Sequence, residues 1–254
     1  MDNAITPKMI VIRDIKDQAI GTEVWPASRM MLNWLGSSAD APALAGATIL
    51  ELGSGTGALA MSLVSQHGVS HVFASEGEAD VFENLRANVS DNGMGAAVVP
   101  CLWDWKDSLL PPAEVLLDTV DVIIASDIVY VGSSECELSH ALAGLCRPDV
   151  NRSTGRTAWL CLADRPQGGE RFLPPPDLDD GMDSRYDADG RVLSAVGRFL
   201  HACARRGLQV QRMNMGAELF EIETKEAGCH GERREFEGCI QMYRIWSISE
   251  LGEP

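Results

Sequence analysis

Three glycines alternate with small polar residues in the segment Glu51-Leu52-Gly53-Ser54-Gly55-Thr56-Gly57. An apolar run over 47–52, which predicts a buried strand, precedes them, and a predicted helix over 57–66 follows. Glycines let the chain turn sharply where a strand ends and let a ligand approach the backbone, while the helix N-terminus supplies free N–H groups and partial positive charge. We therefore predict a cofactor site that includes Gly53, Ser54, Gly55 and Gly57.

Two carboxylates near this loop bear on which cofactor it binds. Glu51 directly precedes the glycines, and it suits a ligand with an ammonium group and a cationic sulfur better than a pyrophosphate. Glu76, at the end of the second predicted strand, could bind the ribose hydroxyls that nicotinamide and adenosyl-sulfonium cofactors both carry. The run Gly53–Ala58 also fits the dinucleotide pattern G-x-G-x-x-G/A, so the glycines by themselves leave the cofactor open.

The elements around these residues alternate between strand and helix. Apolar runs predict strands over 47–52, 70–75, 96–102, 120–126 and 157–163. Helical patterns occupy 27–35, 57–66, 79–89, 135–145 and 191–206. This alternation predicts an α/β fold with a mostly parallel, Rossmann-like sheet and helices on both faces. Three late strands without intervening helices, over 208–213, 218–223 and 239–248, predict an antiparallel edge, and residues 9–12 and 18–22 predict a short N-terminal β-hairpin.

We find no internal repeat and no linker, so we predict a single domain over 1–254. It would comprise an N-terminal hairpin and helix (1–36), a cofactor-binding core (47–163), an insertion rich in Asp and Pro (165–190) and a C-terminal helix with strands (191–254). The insertion lacks the ligand spacing of a calcium loop. It could be a solvated surface loop or a wall that attracts a basic substrate segment.

Composition and charge argue against several classes of protein. The net charge of −16 argues against nucleic acid as the main partner, because binding of a phosphate backbone depends on clustered Lys and Arg. No apolar run reaches the roughly 18 residues of a membrane-spanning helix, and the start of the chain resembles no signal peptide. The seven cysteines form no C-x-x-C pair, which favours reduced thiols in a cytoplasmic or nuclear protein. The histidines show no metal-binding spacing, so we expect no metal.

An ordered set of motifs resembles the seven-β-strand S-adenosylmethionine-dependent methyltransferases, specifically the protein-lysine methyltransferases called methyltransferase family sixteen. The matching pieces are Gly21-Thr22-Glu23-Val24-Trp25-Pro26-Ala27-Ser28, Glu51–Gly57, Glu76, Asn84-Leu85-Arg86-Ala87-Asn88, Leu102-Trp103 and Ala125-Ser126-Asp127-Ile128-Val129-Tyr130. They extend over about half of the chain. The glycine motif alone indicates only the superfamily, whereas the complete set is more specific and implies a seven-stranded sheet.

The resemblance implies donor-binding roles by position. Trp25 would lie against the methionine end of S-adenosylmethionine, Glu76 would bond the ribose hydroxyls, and Trp103 would flank the adenine. The family more often has Asp at the position of Glu76, but the longer side chain can still reach. The complete implied donor site is Trp25, Glu51, Gly53, Ser54, Gly55, Gly57, Glu76, Trp103 and Ser126.

The resemblance also implies an acceptor side, where Ser126 and Asp127 would line the transfer site and Tyr130 would lie near the target amine. A lysine amine must lose its proton before it attacks, which costs roughly 4–5 kcal/mol at neutral pH. An acidic and an aromatic group can orient the amine and stabilise the forming cation. Asp127 and Tyr130, the predicted catalytic residues, are of these types. Their structural alternatives are a helix N-cap for Asp127 and a packing aromatic for Tyr130.

We therefore expect a monomeric methyltransferase whose substrate is a lysine of a cytosolic protein, with no membrane or nucleic-acid partner. Other functions remain open at this stage. The acceptor could be a protein histidine or a small molecule, because one fold hosts many acceptors. A non-catalytic scaffold that binds the cofactor is a further alternative, and a nicotinamide-dependent dehydrogenase is the most distant one.

Overall fold

A computed structural model describes residues 10–13, 21, 23–130, 134–148, 155–164, 194–215 and 240–247. The helices in this part of the chain are α1 (Pro26–Ser37), α2 (Ala58–His67), α3 (Ala79–Asp91), α4 (Glu135–Leu145) and α5 (Ala195–Arg205). The strands are β1 (Thr48–Leu52), β2 (His71–Glu76), β3 (Val98–Leu102), β4 (Val122–Ser126), β5 (Thr157–Ala163), β6 (Leu208–Met213) and β7 (Ile240–Ser247). A 3₁₀ turn at Leu117–Thr119 precedes β4.

Within the described residues the strands form a seven-stranded sheet in the order β3-β2-β1-β4-β5-β7-β6. β2 pairs in parallel with both β1 and β3, whereas β7 pairs antiparallel with both β5 and β6. The predicted α/β class with a mostly parallel, Rossmann-like sheet is therefore confirmed. The antiparallel edge also lies where the sequence predicts it, at β6 and β7.

Local sequence explains where three of the helices begin. Pro26 opens α1, where a missing N–H costs nothing and a fixed φ is already helical. Gly57 precedes α2 with a left-handed φ of 79°. The Ser194 side chain caps α5 by accepting a hydrogen bond of 3.0 Å from the backbone N–H of Gly197. The first two of these helices begin beside predicted functional segments, so their caps help to position those segments.

Two strands start two residues later than predicted, because the residues predicted to begin them belong to a preceding turn. The N–H of Ala97 donates to the carbonyl of Met94, so β3 begins at Val98. The N–H of Val120 donates to the carbonyl of Leu117 and closes the 3₁₀ turn, so β4 begins at Val122. The predicted strand 218–223 and the insertion 165–190 lie outside the described residues.

The predicted N-terminal hairpin is wrong for the part of it that the structure describes. Residues 10–12 form no strand, and the backbone N–H of Val11 donates instead to the side chain of Asn92. The alternation of apolar residues predicted pairing with a second strand. Instead, the backbone of this segment forms hydrogen bonds with asparagine side chains of helix α3 and its C-cap. Residues 18–20 and 22 of the second predicted hairpin strand lie outside the described residues.

The chain divides into two compact units, and the division falls inside β4, between Ile124 and Ala125. The first unit comprises residues 1–104 and 112–124, and it contains α1 to α3, β1 to β3 and the start of β4. The second comprises residues 105–111 and 125–254, with the end of β4, the remaining strands, α4 and α5. The organisation of the chain as a single domain stays a prediction.

Apolar side chains form the core of the first unit around Ile49, Leu50, Val72 and Leu85, none of which is exposed to solvent. In the second unit α4 packs against α5, and Phe199 of α5 is fully buried. Arg198 of α5 and Glu135 of α4 form an ion pair in which both side chains are largely buried. No helix in the described part of the chain is long and apolar enough to cross a membrane.

Candidate functional site

The glycine segment forms a tight turn between β1 and α2. Gly53, Gly55 and Gly57 have φ angles of 63°, 54° and 79°, a region that favours glycine. The N–H of Ser54 donates to the carbonyl of Ser75 at 2.8 Å, which ties the turn to β2. A Cβ atom on Gly57 would lie only 2.5 Å from Cδ1 of Leu85. The glycine pattern is therefore required by backbone conformation and by packing against α3.

Glu51 is the buried carboxylate at the end of β1, and only 1% of its surface is exposed. Burial raises the pKa of Glu51 to about 8, and the charge of Glu76 adds to this shift. The Oε2 atom of Glu51 and the hydroxyl of Ser54 are buried and make no hydrogen bond within the described residues. Such buried atoms are costly unless a partner arrives, and a cationic ligand that donates hydrogen bonds would satisfy them.

Glu76 ends β2 and reaches back to the glycine turn. Its Oε2 atom accepts a hydrogen bond of 3.0 Å from the N–H of Gly55, and its Oε1 atom accepts one of 2.8 Å from the N–H of Gly77. Burial raises the pKa of Glu76, while hydrogen bonds from the backbone of Glu78, Gly55 and Gly77 lower it. Oε1 also accepts from the N–H of Glu78 at 3.2 Å, so the remaining acceptor capacity of the carboxylate is on Oε2. Glu76 can therefore hold the turn and still accept from a hydroxyl group.

The two predicted tryptophans of the donor site differ in their surroundings. Trp103 follows β3, is only 3% exposed, and donates its backbone N–H to the carbonyl of Glu76 at 2.8 Å. Trp25 is partly exposed at the N-cap of α1. The segment that leads to it touches the glycine turn, because a Cβ atom on Gly55 would lie 2.8 Å from the carbonyl oxygen of Gly21. Backbone contacts therefore bring Glu76, Trp103 and the Gly21 segment to one glycine turn.

The predicted acceptor residues Ser126, Asp127 and Tyr130 belong to the second unit and follow one another at the end of β4. Asp127 has a left-handed φ of 55°, the one such angle at a residue other than glycine in the described part of the chain. Its N–H donates to the carbonyl of Cys161 on β5 at 2.8 Å. A strained backbone at a strand end is typical of functional sites, where the surrounding structure enforces it.

The structural alternative for Asp127 is excluded, because the residue at the N-cap of α4 is Ser134. Tyr130 and Ser126 are both partly exposed, so neither is a fully buried packing residue. Asp127 itself is also partly exposed. Accessible polar groups at the end of a strand can meet a substrate, and their roles stay predictions.

Three asparagines have no role predicted from the sequence. Asn84 and Asn88 lie on α3 and Asn92 at its C-cap, and one of them, Asn88, contacts the glycine turn. The Nδ2 atom of Asn88 donates to the carbonyl of Thr56 at 3.0 Å, inside the turn itself. All three side chains are buried. Their spacing of four residues within an apolar helical pattern was the available signal, since it places buried amides on one helix face. Among the described residues there is no cluster of three or more His, Cys, Asp or Glu that could hold a metal.

Comparisons with solved structures show the fold. The structure titled [4+2]-cyclase SpnF has a TM-score of 0.51 and 13% identity, over 96% of this chain and 90% of that chain. A complex of the Haloferax volcanii Trm112 methyltransferase activator with a putative methyltransferase gives a TM-score of 0.50 and 15% identity, over 87% of this chain and 91% of that chain. Because one of these proteins is named a cyclase and another a methyltransferase, the fold does not determine the reaction.

Comparisons with protein sequences are more specific. A protein-lysine N-methyltransferase EFM3 of Chaetomium thermophilum is 33% identical over 167 residues, which are 64% of this chain and 41% of that protein. This chain therefore spans less than half the length of that relative. A family model described as lysine methyltransferase matches residues 5–174, about two thirds of the chain, including the glycine turn, Glu76 and Asp127. The chain belongs to the lysine methyltransferase family.

Proposed function

We propose that this chain transfers a methyl group from S-adenosylmethionine to the side-chain amine of a lysine in a protein substrate. The observation that carries the proposal is Glu51, a buried carboxylate with an oxygen that makes no hydrogen bond in the described residues, two positions before the first glycine of the turn. A buried carboxylate of this kind favours a cationic ligand, which would stabilise its ionised form, over a pyrophosphate, which would destabilise that form. Membership of the lysine methyltransferase family supports the same conclusion.

The residues of the first unit fit the proposed donor. Glu51 and the Ser54 hydroxyl would accept from its ammonium group and balance its positive charge. Glu76 would accept from the ribose hydroxyls, and Trp25 and Trp103 would pack against the methionine and adenine ends. The glycines Gly53, Gly55 and Gly57 would admit the donor close to the backbone. When bound, S-adenosylmethionine supplies an electrophilic methyl group on a sulfonium.

The residues at the end of β4 would act on the acceptor amine. The lysine must arrive as a neutral amine, so that its lone pair forms the new N–C bond while the electrons of the S–C bond stay on sulfur. The Asp127 carboxylate would orient the amine and stabilise the positive charge that grows on nitrogen, and the Tyr130 ring would offer a cation–π face. Ser126 would line the same strand end. The amine proton leaves to water, so the mechanism requires no dedicated base.

Incorporation of a labelled methyl group tests the proposal. The purified chain is incubated with methyl-labelled S-adenosylmethionine and a cell extract, and the labelled residue is identified by mass spectrometry. Label on a lysine side chain supports the proposal. Label on a histidine or a small molecule contradicts the acceptor, and donor binding without any label contradicts the enzymatic activity. Titration with a nicotinamide dinucleotide is the control for cofactor class.

The proposal extends to the setting of the reaction. We propose a monomer that acts on a cytosolic protein and binds neither nucleic acid nor membrane. The net charge of −16 supports the exclusion of nucleic acid, since such binding depends on clustered positive charge. Sedimentation of the pure protein tests the monomer, and cell fractionation tests the cytosolic location.

A further inference from the structure

Three buried asparagines lie along one side of α3 and its C-cap. Asn84 and Asn88 are in the helix and Asn92 is the C-cap residue, and their exposed fractions are 5%, 0% and 4%. Residues four apart share a helix face, so the three amides form a row. Burying an amide without hydrogen-bond partners destabilises a protein, so the groups that bond to these three amides contribute to the stability of the fold.

The row binds the backbone of the N-terminal segment Ile10–Arg13 in the way that a neighbouring strand would. Asn92 accepts from the N–H of Val11 at 2.9 Å and donates to the carbonyl of Val11 at 2.7 Å. Asn88 accepts from the N–H of Arg13 at 2.8 Å, and Asn84 donates to the carbonyl of Arg13 at 3.3 Å. Val11 and Arg13 thus each direct both their backbone N–H and their carbonyl group to the asparagines.

Asn88 differs from the other two because it also binds the glycine turn. Its Oδ1 atom accepts from Arg13, while its Nδ2 atom donates to the carbonyl of Thr56 at 3.0 Å. Thr56 lies between the last two glycines and is itself buried. Because an amide accepts through its oxygen and donates through its nitrogen, Asn88 links the N-terminal segment to the turn.

Gly21, which lies outside the segment Ile10–Arg13, also contacts the glycine turn. The carbonyl oxygen of Gly21 is so close to Gly55 that a Cβ atom there would lie 2.8 Å away. The N-terminal residues therefore meet the glycine turn at two points, through Asn88 and Thr56 and directly at Gly55. Movement of the turn would have to be accommodated at both contacts.

We propose that Asn88 is a positioning residue that holds the glycine turn in its donor-binding conformation by linking it to the segment Ile10–Arg13. This inference rests on the proposed function, because it assumes that the turn binds S-adenosylmethionine. Asn88 touches no reacting atom, so its loss lowers donor affinity and leaves the rate of methyl transfer at saturating donor unchanged. Linkage is reciprocal, so bound donor must in turn strengthen the docking of the segment.

The first test compares donor affinity, measured by calorimetry with S-adenosylmethionine, in the wild type and in three variants. Asn88→Ala loses both hydrogen bonds and should weaken affinity roughly 10-fold. Asn88→Asp keeps the acceptor for Arg13 but cannot donate to Thr56, and it should weaken affinity to a similar extent. The matched control Asn84→Ala releases one bond to Arg13 and touches no residue of the turn, so its affinity should change less than about twofold.

The second test measures hydrogen exchange at the amides of Val11 and Arg13 in the wild type, with and without S-adenosylmethionine. Slower exchange with donor supports the coupling. Unchanged exchange together with wild-type affinity in folded Asn88→Asp overturns it, as does an equal loss of affinity in Asn84→Ala. These outcomes leave the proposed function intact. A wild-type protein that binds no S-adenosylmethionine overturns both proposals at once.

Discussion

The carboxylate of Glu76 accepts a hydrogen bond from the backbone N–H of Gly55, across 3.0 Å between the end of β2 and the middle of the glycine turn. This bond joins the end of β2 to the turn that follows β1. The side chain that is proposed to bind the ribose is thus also a support of the turn that is proposed to bind the rest of the donor. Changes at Glu76 should accordingly affect donor binding through both roles.

Glu76→Ala should weaken the binding of S-adenosylmethionine roughly 10- to 100-fold, because hydrogen bonds to a charged group are stronger than neutral ones. Calorimetric titration of the donor measures the effect. Glu78→Gln is the matched control, because Glu78 is an exposed carboxylate two residues further along the chain. This variant should bind the donor as tightly as the wild type does. Equal affinity in Glu76→Ala and the wild type would remove Glu76 from the donor site.

The stability of the ligand-free protein should depend on pH through Glu51. Its pKa of about 8 in the fold exceeds the ordinary value of 4.5, so between these pH values the folded protein binds a proton that the unfolded chain releases. The free energy of unfolding therefore falls as pH rises from about 4.5 to about 8 and is level above that range. Glu51→Gln removes this titration. It should match the wild type at pH 4.5 and be more stable at pH 8.5 by up to about 5 kcal/mol.

Denaturant unfolding at several pH values measures this difference, with Glu78→Gln as the control that should follow the wild type. The same Glu51→Gln protein should bind S-adenosylmethionine more weakly, because the neutral amide cannot balance a cation. In the wild type, donor binding near pH 7 should release a proton from Glu51, which calorimetry in buffers of different ionisation enthalpy detects. Donor binding that releases no proton would contradict the role of Glu51.

Two variants of Asp127 separate backbone strain from chemistry. Asn tolerates a left-handed φ, whereas Ala at the observed 55° costs about 1 kcal/mol. Asp127→Ala should therefore be less stable than Asp127→Asn, as urea unfolding will reveal. Both should bind S-adenosylmethionine normally and both should lose methyl transfer by roughly 100-fold or more, because each lacks the carboxylate. Full activity in Asp127→Asn would show that the charge at this position is not needed.

The ion pair between Glu135 and Arg198 should contribute far more to stability than the one between Glu83 and Arg86. The first pair has side chains only 13% and 6% exposed, whereas the second has 65% and 57%. Glu135→Gln removes the carboxylate that pairs with the largely buried Arg198 and should destabilise the fold by about 3–5 kcal/mol.

Glu83→Gln, the matched control on α3, should cost less than about 1 kcal/mol, because solvent screens an exposed pair. Urea unfolding of both variants gives the comparison. Similar small losses in both would indicate that the buried pair is compensated by other groups around Arg198.

Much of the fold could be predicted because its signals are local. The sequence pattern predicts β5, β6 and α4 at their observed bounds and most other elements to within a few residues. The signals are apolar runs, the positions of glycine and proline, and helix caps. The hairpin prediction was wrong because the alternation in residues 9–12 indicates an extended backbone but not its partner. Side chains associated with a helix, distant in sequence, supply that partner.

The order of strands and helices along the chain, the glycine turn and its two flanking carboxylates can all be predicted without coordinates, because each depends on the pattern of neighbouring residues. The tertiary structure alone decided three features: the raised pKa of Glu51, the left-handed backbone of Asp127, and the link from Asn88 to Thr56 and Arg13. The physical reason is the same for all three. Desolvation, enforced strain and shared hydrogen bonds arise only when segments far apart in the chain pack together.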